Sequence, residues 1–290
     1  MAPSAARTVA LLDFLASHPT ERFGVSELAR RLDASKATLH ALVATLTDAG
    51  YLLRHPVDKT YSLGPALVAV GNAAASRQID VVDHARGEMR RLADELDVLC
   101  VASAAIGDEI VILGREGDLG PLAPDVRVGH RLPLVPPLGT VFMAWSSDAE
   151  IEAWLQRTGP SAPADRIARF RSAVAAVRDR GYSLALEADA RIQIGRALGA
   201  RDPGADASRL ARLVEELGHE EYVLAELEHA SSYRLSMIAA PVFGADGSVV
   251  LALTLFGFRA SLDPVEIRVL ADRLVEATRI VTKSVHGRPN

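Results

Sequence analysis

The first 64 residues carry apolar patterns that predict three helices followed by a β-hairpin. The helices are expected over 9–16, 25–32 and 36–49, and β-prone runs over 51–54 and 60–63 flank a polar tip. The third helix has clear end signals, because Ser35 is a good N-cap residue and Gly50 stands where helices commonly end. This order of elements is typical of a winged helix-turn-helix.

The third of these helices has an outer face made of small and polar residues. Its apolar residues share the other side, which is expected to pack on the first two helices. A solvated face usually carries Glu and Lys, whereas small residues let a helix lie deep in the major groove of DNA. The predicted DNA-binding residues are Ser35, Lys36, Ala37, Thr38, His40 and Ala41 of the helix, and Arg54 and Lys59 of the hairpin. Arg30 and Arg31 are further candidates for phosphate contacts. The alternative, an ordinary solvated helical subdomain, stays open.

The formal charge of the chain, −5, at first speaks against a nucleic-acid partner. Residues 1–64, however, hold seven basic and six acidic side chains, a net charge of +1, which leaves −6 for the remainder. Because +1 is weak for a DNA-binding domain, we expect a single copy to bind feebly and oligomerisation to be needed. The expected partners are therefore double-stranded DNA and further copies of this chain.

The rest of the chain predicts a linker helix and an α+β domain. The segment 65–77 is apolar on most sides, so we expect it to pack on its own domain or on a second copy of itself. Helices are expected over 80–97, 140–146, 148–157, 165–180, 208–217 and 264–285, and strands over 98–105, 109–114, 182–186, 222–226, 233–243 and 248–258. The segments 129–137 and 191–206 show no period. The predicted domains are 1–64, 65–78 and 79–290.

Several classes of function are disfavoured by what the sequence contains. The longest apolar run, 249–258, is about half of a membrane span. The single cysteine, Cys100, lies in an apolar strand, which indicates a buried inert thiol and fits the reducing cytoplasm. Phosphate-loop, dinucleotide and zinc-protease motifs do not occur, so we expect no catalysis, no cofactor and no metal site.

Two other classes of protein remain as alternatives. One is an enzyme with an appended winged helix, for which Glu187 near His130 or His219 would be a candidate titratable pair. The other is a module whose winged helix binds a protein partner instead of DNA.

Two separated sets of motifs resemble the isocitrate-lyase-regulator (IclR) family of bacterial transcription factors. The N-terminal set is LARRL at 28–32, SKATLH at 35–40, LTDAGYL at 46–52 and YSLGP at 61–65. The C-terminal set is GHRLPL at 129–134 before Gly139, and AAPVF at 239–243 before Gly247. The resemblance implies a winged helix, a dimerising linker helix and a GAF-like domain that binds a small metabolite, often a carboxylate or an aromatic compound. It also implies dimers or tetramers that bind a pseudo-palindromic operator.

The resemblance also implies an effector pocket between the sheet and the helix that begins near Gly139. The positions that match the family's motifs imply a pocket lined by Leu134, Gly139, Thr140 and Met143, with Met237, Thr254 and Phe256 from the strands. Phe256 would favour a larger or aromatic ligand, although Met237 and Phe256 are equally expected to fill a core. Arg115, Arg127, Arg131 and Arg234 are candidate partners for a ligand carboxylate, each also explained as a surface arginine.

Three features depart from the family pattern. Ala41 stands where many members carry Arg, so base contacts would depend more on Thr38, His40 and the hairpin. Met237 stands where Cys is common, and the segment 188–230 is longer than the usual connection and adjoins the expected pocket. The resemblance therefore does not carry a ligand identity to this chain.

Overall fold

The computed structural model divides into two compact units, the first comprising residues 1–77 and 200–207 and the second residues 78–199 and 208–290. It describes residues 3–16, 18, 21–117, 126–159, 162–199, 203–219, 222–228, 231–258 and 260–289.

The first unit is three helices and a hairpin, in the predicted order. The helices are α1 (Pro3–Ala16), α2 (Val25–Arg31) and α3 (Lys36–Asp48), and the hairpin pairs β1 (Leu52–Arg54) with β2 (Tyr61–Leu63). The α1 helix begins six residues before the predicted start at residue 9. The residues before the apolar repeat include Ala and Ser, which a helix accepts but which show no apolar periodicity from which it could be predicted. Buried side chains from all three helices and the hairpin form one core.

The start of α3 and the base of the hairpin are fixed by short-range contacts. The Ser35 hydroxyl accepts a hydrogen bond from the Thr38 amide at 3.1 Å, which confirms the N-cap. A Cβ atom at Gly64 would lie 2.3 Å from the Gly50 carbonyl oxygen and 2.9 Å from the Leu52 amide nitrogen. Only glycine therefore lets the second strand pass so close to the end of α3.

One unbroken helix, α4 (Ala66–Leu96), follows the hairpin. The predicted division into separate helices over 65–77 and 80–97 is wrong, since no Pro or Gly interrupts 73–86 and nothing else ends a helix there. The helix ends where Asp97 adopts a left-handed φ of +52°. Val82, Ala85, Met89 and Leu92 form its buried stripe in the second unit.

The second unit is built on a six-stranded antiparallel sheet with the order β5-β4-β3-β8-β7-β6. Its strands are β3 (Leu99–Ile106), β4 (Glu109–Glu116), β5 (Arg131–Pro133), β6 (Ser183–Leu186), β7 (Leu235–Phe243) and β8 (Val249–Phe256). The short β5 lies inside the predicted irregular connection 129–137, where its pairing with β4 defines it as a strand. The predicted α+β class is confirmed.

Helices cover both faces of this sheet. The C-terminal part of α4 and α10 (Pro264–Ser284) pack on one face. The other face is covered by α5 (Thr140–Met143), α6 (Asp148–Gln156), α7 (Ala164–Arg180), α8 (Asp189–Gly199) and α9 (Pro203–His219). Because side chains alternate along a strand, successive residues of one strand pack in the core on one sheet face and in the core on the other.

Two segments differ from the sequence prediction. The segment 191–206 is largely helical, since α8 covers its first part and α9 begins at Pro203, a residue suited to a first helical turn. The predicted strand over 222–226 is reduced to one bridge, between Val223 and Ala185. Arg180 donates hydrogen bonds to the carbonyl oxygens of Leu224 and Ala225 at 2.8 and 3.1 Å, so a side chain replaces a neighbouring strand there.

Candidate functional site

The outer face of α3 is open to solvent, as its pattern predicts. Lys36, Ala37, His40 and Ala41 are exposed, while Leu39 and Val43 are buried on the opposite side. Thr38 is half-buried, and its hydroxyl lies 2.8 Å from the Ser35 hydroxyl. A base contact by Thr38 would therefore exchange this capping partner for the DNA, whereas His40 is exposed and reaches outward from the middle of the helix.

The hairpin places its two basic residues differently. Arg54 is exposed, and its guanidinium lies 6.0 Å from the centre of the Tyr61 ring, which holds the long side chain against the strand. The Lys59 ammonium turns back and donates a 2.6 Å hydrogen bond to the Pro56 carbonyl oxygen. Arg54 is thus presented outward, whereas Lys59 would have to give up a local contact to reach a phosphate.

The two arginines at the end of α2 also differ. Arg30 is exposed. Arg31 pairs with Glu27 at 3.2 Å and lies 5.5 and 5.6 Å from the rings of Phe14 and Phe23. These contacts explain Arg31 as part of the module's own packing.

A small cavity lies in the second unit, on the sheet face opposite α4 and α10. We call it the sheet cavity; its lining is Val101, Ser103, Ile110, Ile112, Val126, Leu132, Leu138, Gly139, Val141, Phe142, Arg191, Ile194, Tyr222, Met237, Ala239, Thr254 and Phe256. Alternate residues of β3, β7 and β8 provide its floor, because side chains two apart share a sheet face. Its volume is about 80 Å³, below the ~300–1,000 Å³ common for ligand pockets.

Four of the seven residues predicted for the effector pocket line the sheet cavity. These are Gly139, Met237, Thr254 and Phe256. Leu134, Thr140 and Met143 are buried but do not line the cavity. Thr140 donates its hydroxyl to the Pro137 carbonyl oxygen at 2.9 Å, and Leu134 lies under Gly139. Leu134 therefore lies directly behind the cavity wall at Gly139.

The charged residue at the sheet cavity, Arg191, was missed by the sequence prediction. Its guanidinium lies 5.1 Å from the centre of the Phe256 ring. Ser103, Thr254 and Tyr222 add hydroxyl groups to a lining that is otherwise mostly apolar. An arginine stacked on an aromatic ring beside hydroxyl groups can bind the carboxylate of a ligand with an apolar body. The one sequence feature that pointed to Arg191 was its place in the segment 188–230, which adjoins the expected pocket.

The four arginines considered from sequence are placed elsewhere. Arg131 pairs with Glu109 at 2.5 Å, and Arg234 pairs with Glu187 at 2.9 Å. Arg115 donates a long 3.5 Å hydrogen bond to the Val126 carbonyl oxygen. None of these arginines, nor Arg127, is part of the cavity lining.

The residues considered for catalysis make structural contacts. The Glu187 carboxylate accepts hydrogen bonds from Arg234, the His219 ring contacts Arg166, and the His130 ring accepts from the Arg127 amide. Burial raises the pKa of the Cys100 thiol to about 12, so it is neutral and unreactive at ordinary pH.

Two further kinds of site are absent from the described ranges. In those ranges no three His, Cys, Asp or Glu side chains are grouped to hold a metal ion. Within the same part of the chain, every helix is too short or too polar to cross a membrane.

Comparison with known proteins gives consistent matches to one family. The profile of the IclR helix-turn-helix domain matches residues 4–56. The HTH-type transcriptional regulator XynR of Escherichia coli is 31% identical over 188 residues, which cover 62% of this chain and 73% of that protein.

Solved structures match over nearly the full length. An IclR transcriptional regulator from Alicyclobacillus acidocaldarius has a TM-score of 0.67 at 20% identity, covering 98% of this chain and 99% of that one. An IclR homologue from Microbacterium hydrocarbonoxydans, solved in complex with 4-hydroxybenzoate, has a TM-score of 0.65 at 19% identity, covering 97% and 98%. At these identities the structural likeness concerns the fold.

Proposed function

Because the chain belongs to the IclR family of transcriptional regulators, we propose that it binds a pseudo-palindromic operator as a homo-oligomer and responds to a small organic acid in the sheet cavity. The observation that carries the DNA part is the exposed, small and mostly neutral face of α3, which begins at a capped N-terminus. Ser35, Lys36, Ala37, Thr38, His40 and Ala41 would enter the major groove, and Arg54 and Lys59 would contact the backbone beside it.

Oligomerisation is proposed because one winged helix has too little charge to bind well alone. The net charge of residues 1–64 is +1, so phosphate neutralisation by one copy is small. Two linked copies bind neighbouring half-sites, and the second contact then forms at a high effective concentration. The operator half-sites are expected about one helical turn, ~34 Å, apart or at a multiple of that distance.

Operator binding is tested by fluorescence anisotropy with a labelled fragment from upstream of the gene, over a range of salt concentrations. Each phosphate contact contributes about 0.9 to the slope of log K against log salt. Arg54→Ala removes one contact per copy, so a dimer should lose about 1.8 from this slope and a single bound copy about 0.9. Arg279→Ala, which changes an exposed arginine of α10, is the control. An unchanged slope for Arg54→Ala would remove the hairpin from the interface.

The effector is proposed to be an organic acid with an apolar or aromatic body. The support is the lining itself, in which Arg191 stacks on Phe256 beside the Ser103 and Thr254 hydroxyls. Since the cavity is only about 80 Å³, a ligand of aromatic size must displace side chains to enter. Such a displacement supplies the structural difference between the free and bound states that regulation requires.

The route from the effector to DNA is proposed to run through α4. Its C-terminal part packs on the sheet, and the same helix continues without a break to Ala66, directly after the hairpin. A shift of this helix on ligand binding would change the separation of two winged helices in an oligomer.

The effector proposal is tested with 4-hydroxybenzoate, the compound bound by the Microbacterium relative. We expect it to raise the melting temperature of the full chain and to change operator affinity. Arg191→Gln should abolish both effects, and Arg279→Gln should leave them intact. Equal stabilisation of the wild type and Arg191→Gln would show that Arg191 does not bind the acid. If no acid that stabilises the protein changes its affinity for the operator, the proposed coupling is refuted.

We further propose that the protein works without catalysis and in the cytoplasm. The named relatives are transcriptional regulators, and the single thiol is buried and protonated. Turnover measured by chromatography on any acid that stabilises the protein should stay at the uncatalysed rate.

A further inference from the structure

A second pocket, outside the sheet cavity, contains a buried arginine to which no carboxylate of the described residues is paired. Arg166 of α7 is only 8% exposed. Its Nη1 contacts the His219 ring nitrogen Nε2 at 3.2 Å, and its Nε has no hydrogen-bond partner. Among the residues that the structure describes, no Asp or Glu forms an ion pair with it. A buried cation is stabilised by a nearby anion, and none of the described residues provides one to Arg166.

His219 does not supply that charge. An imidazole side chain carries no negative charge in either of its ordinary forms, so its contact with Arg166 does not balance the guanidinium. The next arginine on the same side of α7, Arg169, donates to the Gly218 carbonyl oxygen at 3.1 Å and also leaves its Nε without a partner. The end of α9 thus gives Arg166 and Arg169 one partner each, His219 and the Gly218 carbonyl oxygen. Neither partner carries a negative charge.

The space in front of Arg166 has the size and the walls of a ligand site. The pocket measures about 310 Å³ and is lined by α7, α9 and the 133–136 segment. Pro136, Phe170 and Val214 give it apolar walls, and Arg157 adds a second guanidinium. Arg157 already pairs with Asp108 at 2.6 Å and donates to the Leu134 carbonyl oxygen at 2.9 Å, so Arg166 carries the unbalanced charge.

We propose that this Arg166 pocket binds a small organic anion, whose carboxylate or phosphate group pairs with Arg166 while its apolar body lies against Pro136 and Phe170. Guanidinium groups match both kinds of oxyanion, so the acid group is the shared chemistry. The site is separate from the sheet cavity and does not depend on the function proposed for that cavity. The two sites share one segment, because Pro133, Val135 and Pro136 line the pocket and Leu138 and Gly139 line the sheet cavity.

Glu215 is the one acidic residue among the described residues that line the pocket, and its substitution gives a separate test of the proposal. It is exposed and makes no ion pair with Arg166 within the described part of the chain. If the Glu215 carboxylate balanced the charge of Arg166, Glu215→Gln would destabilise the protein and leave anion binding unchanged. In our proposal it only repels a bound anion, so Glu215→Gln strengthens anion binding by about two- to fivefold.

The experiment is a calorimetric titration of the full chain with benzoate and, separately, with inorganic phosphate, at an ionic strength held constant with potassium chloride. We expect at least one of the two probes to bind the wild type at millimolar concentration or below. Arg166→Gln should weaken that binding by about tenfold or more, the effect of losing one charge-assisted hydrogen bond. Binding of benzoate but not phosphate identifies a carboxylate site, and the reverse identifies a phosphate site.

Further variants complete the test. Arg279→Gln, which changes an exposed arginine of α10, should leave the binding unchanged. Arg191→Gln removes only what the sheet cavity binds, so loss of the whole signal in Arg191→Gln with none in Arg166→Gln would place the anion in the sheet cavity and overturn the proposal. Arg166→Gln is expected to fold at least as stably as the wild type without anion, because it removes the unbalanced charge. If it does not fold, Arg166→Lys, which keeps the charge but loses the fork of donors, should still weaken binding several-fold. No binding of either probe to the wild type would also overturn the proposal.

Discussion

Gly139 lies on the wall of the sheet cavity at the start of α5, and replacing it with alanine should destabilise the second unit in a calculable way. Its φ is +86°, a left-handed conformation that costs other residues about 1–2 kcal/mol. A Cβ atom there would lie 2.2 Å from Cδ1 of Leu134, which is 5% exposed and has little room to move. Overpacking of this kind costs about 1–3 kcal/mol. The expected loss in the free energy of unfolding is therefore about 2–5 kcal/mol.

Urea unfolding followed by tryptophan fluorescence measures this loss. Both tryptophans, Trp145 and Trp154, lie in the second unit, and the Trp154 indole donates a 3.2 Å hydrogen bond to the carbonyl oxygen of the residue before Gly139. The matched control is Gly129→Ala, whose φ is +91° but whose added Cβ would meet no atom within 4 Å. It should lose only the conformational part, about 1–2 kcal/mol.

The difference between the two alanine variants isolates the contact with Leu134. If Gly129→Ala and Gly139→Ala lose the same stability within about 0.5 kcal/mol, the contact carries no energy and the reasoning is refuted. A double variant adds a second check. Removing the Leu134 side chain together with Gly139→Ala should cost about 1–3 kcal/mol less than the sum of the single losses, since the clash no longer exists.

Three further outcomes are expected. Gly64→Ala should unfold the first unit and abolish operator binding in an anisotropy assay, because its Cβ would meet backbone atoms that cannot move aside, whereas Gly24→Ala, which meets nothing within 4 Å, should bind normally. Arg180→Met should lower the free energy of unfolding in urea by about 2–5 kcal/mol, since three backbone carbonyl oxygens lose their donor. Folding raises the pKa of the Cys100 thiol from 9.0 to about 12, so its contribution to the free energy of unfolding is complete below pH 9 and decreases between pH 9 and 12. Cys100→Ala should therefore reduce the loss of stability over that pH range, as measured by urea unfolding at each pH.

The parts of the structure that depend on local sequence were predicted well. The Ser35 cap, the alternating faces of α3 and the strands on either side of Gly247 follow from residues a few positions apart. The break expected between 77 and 80 was wrong because the sequence there contains no helix-ending residue, and the change in composition was mistaken for a change in structure.

The missed residues depend on contacts between distant segments. Arg191 looks like a surface residue until α8 packs on the sheet and places it over Phe256, 65 positions later in the chain. Arg166 belongs to an amphipathic helix rich in arginine, and its burial results from α9, where His219 contacts it across 53 residues. Spacing within a segment cannot reveal such pairs, since they depend on which helix covers which face.

The alternation of side chains along β8 has a consequence for how the lining of the sheet cavity can change in evolution. Thr254 and Phe256 point into the sheet cavity, whereas Leu253 and Leu255 belong to the core beneath α4 and α10. Substitutions at 254 and 256 can therefore change the shape and polarity of the sheet cavity while the opposite core keeps its packing. Because the two sets of side chains lie on opposite faces of one strand, the cavity lining can vary in evolution while the packing that stabilises the sheet is kept.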